Sequence, residues 1–325
     1  MKSLLRCFTP KFLILFAVGP CLSALLLGIC IGYPALANAQ QSSLRVFPTA
    51  ESGRVEVITD TLKVTLDTEG GSVIRSEFIK TSALVGLPSN LVLFDSSRDR
   101  VYLAQSGLIG GGFPTHRTVM TFEGDRYLKE GATELMVKFE SPVMSGVKLR
   151  KTYIFRRGSY VVDVKHEVLN LSAFPIALML YLQLVRDGNK EAADQLSTYA
   201  TFTGPSIFTA AKQYQRVEFH EIENNRAVAE KYSPYGYVAM VQHFFATAWL
   251  LGDGVIRENF VRKVDTNLYA VGMITKLKDI APSATATSEA RLFIGPRIVS
   301  VTQPLRLEAI QDDGWLLNFL QKLKH

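Results

Sequence analysis

The chain has 325 residues, 47% of them hydrophobic and 20% charged, with a formal net charge of +6. Lys2, Arg6 and Lys11 account for half of that charge, and the remaining excess is weak and scattered, which excludes the clustered basic or aromatic-lined face that nucleic acid needs. All three cysteines, Cys7, Cys21 and Cys30, lie near the start, so the rest is built without disulfides or free thiols, as suits a body held in an oxidising compartment.

Behind the three basic residues, Phe12 to Ile31 is an apolar run broken only by Ser23. At ~1.5 Å per residue it can cross a ~30 Å hydrocarbon core, and the flanking charges put its start in the cytoplasm. Ala37 and Ala39 then form an A-x-A site ahead of Gln40. Two readings of residues 1–39 stand: a signal anchor that stays attached, or a signal peptide removed after Ala39. Cys21 and Cys30 follow Pro20 and Ile29, which argues against lipid attachment. Residues 40–52 form a polar linker to a single domain predicted over 53–311.

Within that domain the apolar period is two, the signature of half-buried strands. Leu62 to Asp67 alternates strictly, Glu69-Gly70-Gly71 supplies a turn, and Ser72 to Ile79 follows, which predicts a hairpin. Leu135, Val137 and Phe139 alternate in the same way. Val147 to Phe155 and Tyr160 to Asn170 flank Arg156-Arg157-Gly158-Ser159, a second hairpin with glycine in its turn. Tyr237 to Gln242, His243 to Leu250, Leu268 to Ile274 and Thr285 to Ile294 continue the pattern, punctuated by Gly204-Pro205, Ser233-Pro234, Ala281-Pro282 and Gly295-Pro296. Many short strands without alternating helices predict an all-β sandwich of antiparallel sheets.

The one clear helical pattern comes last, over 312–325. Asp312 and Asp313 can cap it, and Trp315, Leu316, Phe319, Leu320 and Leu323 make one apolar stripe opposite Asn318, Gln321, Lys322 and Lys324. Such a helix packs on the sandwich or lies in a membrane interface, and these five residues are the candidate membrane-interface site.

Chemistry is sparse. His116, His166, His220, His243 and His325 show no metal-ligand spacing, so no metal, cofactor or catalytic residue is predicted and the protein reads as a non-enzyme. His166 shares a strand face with Tyr160, Val162, Val164 and Val168, as a core histidine does. His166-Glu167 and His220-Glu221 are neighbours in sequence, and neighbours on a strand point to opposite faces. Gly110-Gly111-Gly112 lacks the Lys-Ser/Thr and helix of a phosphate cradle and reads as a loop. Asn170-Leu171-Ser172 matches a glycosylation triplet, a pattern common by chance.

Several blocks together resemble the periplasmic domain of the YidC membrane-protein insertase family. They are Thr59 to Gly71, Ala104 to Leu108, Lys151 to Tyr160, Tyr237 to Trp249 with its Phe-Ala-Thr-Ala-Trp, Phe293 to Pro296, and Asp313 to Leu316, in the family's order over about residues 54–320. The resemblance implies a large β-supersandwich of the galactose-mutarotase type, held outside the inner membrane by an N-terminal transmembrane helix. It further implies a scaffold or chaperone role beside the Sec translocon in inserting and folding nascent inner-membrane proteins, with the last helix interfacial. The family's insertase bundle follows this point, and no second apolar run of that length is present here. The expectation is a truncated or split member, with a separate chain carrying the bundle, or a stand-alone periplasmic domain. A periplasmic carbohydrate-binding or mutarotase-like protein is the alternative, and it would need an acid and a base converging in one groove.

Overall fold

The computed structural model describes residues 53–79, 91–189, 202–242 and 244–307. The chain divides into two compact units, Met1–Gln41 and Ser42–His325, of which the first lies wholly outside the described residues. The leader and the 312–325 helix, with Trp315, Leu316, Phe319, Leu320 and Leu323, also lie outside them, as does His243.

The second unit is a sandwich of two nine-stranded sheets in which every strand pairing is antiparallel. With strands numbered along the chain, the first sheet runs, edge to edge, β1 (Arg54–Ile58), β2 (Leu62–Asp67), β3 (Ser72–Phe78), β4 (Val92–Ser96), β5 (Val101–Ile109), β10 (Met179–Asp187), β17 (Leu268–Lys276), β16 (Arg257–Asp265) and β13 (Tyr232–Ser233). The second runs β12 (Gln213–Arg216), β11 (Gly204–Thr209), β14 (Gly236–Val241), β15 (Phe245–Leu251), β18 (Thr285–Pro296), β9 (Val161–Asn170), β8 (Val147–Arg156), β7 (Glu134–Glu140) and β6 (Thr121–Gly124).

The two hairpins predicted from alternation are present, the first with a register shift between Thr65 and Leu66. Asp67 faces Ser72 across the first turn, and Phe155 faces Val162 beside the second. Leu149, Tyr153 and Phe155 of β8 and Val162, Val164 and Val168 of β9 point between the sheets and are buried there. Removing such side chains from water stabilises the fold by roughly 1.5–3 kcal/mol each. Two central strands escape the period-two reading. β5 and β10 lie in the middle of the first sheet, and burial on both faces leaves their sequences without apolar–polar alternation. Two short helices add to the one predicted: α1 (Phe219–Glu223), opened by a capping box between Glu218 and Glu221, and α2 (Val299–Thr302), followed by a 3-10 turn at Gln303–Leu305. Each is about a turn long, too short to show a helical period.

Arg257 on β16 closes one corner. Its guanidinium is fully buried and donates to five carbonyls, those of Pro234, Gly236, Leu251, Gly252 and Val255, at 2.7–3.4 Å. A flat fork with five N–H donors fits that ring of acceptors as no other side chain does.

Candidate functional site

Inside the sandwich, one group of buried polar residues gathers on β8 and β9, apart from the buried Tyr102–Thr247 bond and the Arg186 guanidinium over the Tyr102 ring. Alternation along β8 puts Lys151 on the same inward face as Leu149, Tyr153 and Phe155, and on β9 it puts His166 directly opposite Lys151. Both are fully buried. Lys151 Nζ donates to the carbonyls of Gly70 and Ser106, at 2.6 Å each, and the Ser106 hydroxyl meets His166 Nε2 at 2.9 Å. Tyr153 donates its hydroxyl to the Gly71 carbonyl. The β2–β3 turn and β5 are thereby tied to β8 and β9 across the core.

No carboxylate bonds to this group among the described residues, and burial is the first cause of its charge state. The Lys151 amine is pushed down to about 7, and His166 to about 3, lowered first by burial and then by the Lys151 charge. Above about pH 7 the amine is mostly neutral, and the two carbonyls accept its two N–H bonds. The chemistry of this arrangement is that of a staple rather than of proton transfer to a ligand. His166 was expected as a core histidine, and the structure places it so. The signal for Lys151 in the sequence is its position in the series Leu149, Lys151, Tyr153, Phe155, which puts a lysine on an apolar face.

A second polar group lies on the outer face of the first sheet. Tyr181 and Gln183 alternate there with the inward Leu180, Leu182 and Leu184. Gln183 donates to Gln105 at 2.8 Å and accepts from Arg262 at 2.8 Å, while Arg262 stacks on Phe260 at 4.9 Å. His116 packs edge-on against Tyr181 and bonds its hydroxyl through both the backbone N–H and Nδ1. Burial lowers the His116 imidazole to about 3 and raises the Tyr181 phenol. Both stay neutral at physiological pH, and no carboxylate among the described residues bonds to either. The histidine–tyrosine pair is therefore held as a neutral contact.

The remaining sequence candidates separate. His220 is exposed on α1, whereas His116 and His166 are buried. Gly110-Gly111-Gly112 is a turn whose Gly112 carbonyl accepts from Ser145. The Asn170 side chain is fully buried and donates to the carbonyls of Phe174 and Ile280, so the triplet that begins there serves loop geometry. Among the described residues no three His, Cys, Asp or Glu converge as metal ligands, and no helix is long and apolar enough to cross a membrane.

The family described as the YidC periplasmic domain matches residues 54–323. "Membrane protein insertase YidC" of Cupriavidus necator is 43% identical over 271 residues, covering 83% of this chain and 48% of the relative. The protein of the same name from Ralstonia nicotianae is 41% identical over 288 residues, covering 87% and 51%. The chain thus spans about half the length of these curated relatives. Among solved structures, a galactose mutarotase related enzyme from Lactobacillus acidophilus covers 75% of the chain at 7% identity with a TM-score of 0.46, and a putative aldose 1-epimerase from Escherichia coli covers 75% at 9% identity with a TM-score of 0.42. At those scores nothing of their chemistry transfers to this chain. The match over nearly all of the second unit, with relatives above 40% identity, places the chain in the YidC periplasmic domain family.

Proposed function

We propose that this chain is the periplasmic part of a YidC-type membrane-protein insertase, held at the bacterial inner membrane by residues 1–39. It acts without catalysis, as a scaffold or chaperone module that assists insertion and folding of inner-membrane proteins beside the Sec translocon. The observation that carries this reading is the identity above 40% with proteins named membrane protein insertase. The buried polar groups support a non-catalytic role, because their partners are carbonyls, hydroxyls and amides of the fold itself. On this reading the two nine-stranded sheets form a β-supersandwich of the galactose-mutarotase type, and 312–325 lies in the membrane interface.

The test is photo-crosslinking in cells synthesising an inner-membrane protein. A photoreactive residue replaces exposed side chains of the sandwich in the full chain, one at a time. Crosslinks to the nascent protein or to translocon subunits are the expected result. Membrane extraction at alkaline pH, with the intact mass of the product, reads the leader in parallel. A chain beginning at Gln40, free in the periplasm and crosslinked to neither partner, would overturn the proposal.

A further inference from the structure

The outer face of the first sheet carries a groove of about 830 Å³ over β1 to β4. Strand pairing builds its floor. Glu56, Thr65, Arg75 and Asp95 lie opposite one another across the four strands and alternate with residues that face the core. The register shift beside Thr65 leaves Ile74 of β3 unpaired, and its buried side chain lines the groove. The walls come from separate places: Arg54 at the start of β1, Arg98 in the β4–β5 turn, and Arg126 with Tyr127 in the segment after β6. That last segment is pinned to the edge of β1, because the Ile58 N–H donates to the Arg126 carbonyl and the Leu128 N–H to the Ile58 carbonyl, at 2.8 and 2.9 Å.

Four arginines and two carboxylates line this groove, and both carboxylates are engaged. Glu56 pairs with Lys63 at 2.9 Å, and Asp95 accepts from Arg75 at 2.9 Å and from the Ser97 hydroxyl at 3.1 Å. Arg75 is occupied as well, since its Nε donates to Glu77 at 2.7 Å. Arg54, Arg98 and Arg126 are exposed and make no ion pair among the described residues. Arg126 lies over the Phe122 ring at 5.6 Å, a stacking contact that leaves the edge of its guanidinium open. Three cationic forks thus share one groove with every acid there already paired, and an incoming anion would relieve their mutual repulsion.

We infer that this groove binds an organic phosphate, held by Arg54, Arg98 and Arg126. Guanidinium forks pair bidentately with phosphate or carboxylate oxygens. Forks arriving from three separate elements suit a tetrahedral group, whose oxygens point in several directions, better than a carboxylate with two oxygens in one plane. The volume falls within the ~300–1,000 Å³ of small-ligand pockets, which favours a small molecule or headgroup over a stretch of polypeptide. Tyr127, 64% exposed at the wall, and Ile74 in the floor offer apolar surface to the organic part of the ester. A phospholipid headgroup and a soluble phosphate ester present the same chemistry to these residues. The inference adds a ligand to the scaffold role proposed above and does not depend on that role.

The test uses the full chain in an uncharged detergent and phosphate-free buffer, with phenylglyoxal modification of arginines mapped by peptide mass. Glycerol phosphate is the soluble probe, and phosphatidylglycerol in the micelles is the lipid probe. At a concentration ten times its Kd, a bound probe should slow modification of Arg54, Arg98 and Arg126 about tenfold. Arg226, exposed and without an ion pair among the described residues but outside the groove, should keep its rate. A chain carrying Arg54→Gln and Arg98→Gln, both at exposed positions, should lose the protection of Arg126 while the buried Trp249 fluorescence stays unchanged. Protection by phosphatidylglycerol alone assigns a lipid headgroup, and protection by glycerol phosphate assigns a soluble ester; either supports the site. Equal slowing at Arg226 would reduce the effect to general charge screening and overturn it. Protection by glutamate as strong as by the phosphate ester, or none by either probe, would also refute it and leave the scaffold reading, tested by crosslinking, untouched.

Discussion

Lys151→Met tests the core staple directly. The lysine is fully buried, its amine is lowered from the ordinary value of 10.5 to about 7, and the cause is burial. Unfolded, the same amine binds its proton up to the ordinary value. Between pH 7 and 10.5 the unfolded chain therefore holds more protons, and stability must rise with pH across that window. From pH 7 to pH 9 the gain is about 2 kcal/mol at 1.36 kcal/mol per unit, less the part already titrated at pH 7. Above about pH 10 the buried phenols of Tyr153 and Tyr181, both raised by burial, reverse the trend, because the unfolded chain then loses protons that the folded one keeps. The assay is urea unfolding of the chain followed through Trp249, at fixed salt, across pH 6 to 9. With a slope of ~2 kcal/mol per molar urea, the wild-type midpoint should climb by roughly 1 M between pH 7 and 9. Methionine at 151 fills the volume without titrating, so its midpoints should stay level, at a value lowered by ~1–3 kcal/mol for each carbonyl, of Gly70 and Ser106, left without a donor. Parallel curves for the two proteins would refute the assignment of a neutral amine to the folded core.

On the acid side, His116 and His166 are both held down to about 3, so each costs stability as pH falls from 6.5, by about 2 kcal/mol at pH 5; His166→Gln should roughly halve the slope of midpoint against pH between 6.5 and 5. Arg257→Lys should cost roughly 2–4 kcal/mol in urea unfolding, because one ammonium has three donors for five carbonyls. Gly236 has φ 115°, and a Cβ there would lie 1.9 Å from the Phe208 carbonyl oxygen, so Gly236→Ala should lose more than about 3 kcal/mol or fail to fold, read by midpoint or by soluble yield. Asn170→Ala should leave the strands intact and release the 171–176 loop, seen as faster amide hydrogen exchange there than in β8 and β9.

What the linear sequence determined was local. Alternation, strict in Leu62–Asp67 and interrupted in Val147–Phe155 and Thr285–Ile294, marks strands, since side chains point to opposite faces at period two, and glycine turns mark two of the hairpins. Family membership was legible for a similar reason: blocks such as Phe245-Ala246-Thr247-Ala248-Trp249 form a central strand buried on both faces, where few residues fit. The core role of His166 could be read from the valines at its even positions. Tertiary structure alone decided the rest. β5 and β10 became recognisable only in the middle of a sheet, because burial on both faces erases the periodic signal. Lys151 acquires its meaning from Gly70 and Ser106, 81 and 45 residues away, and no local pattern encodes which carbonyls a side chain will meet across a sandwich.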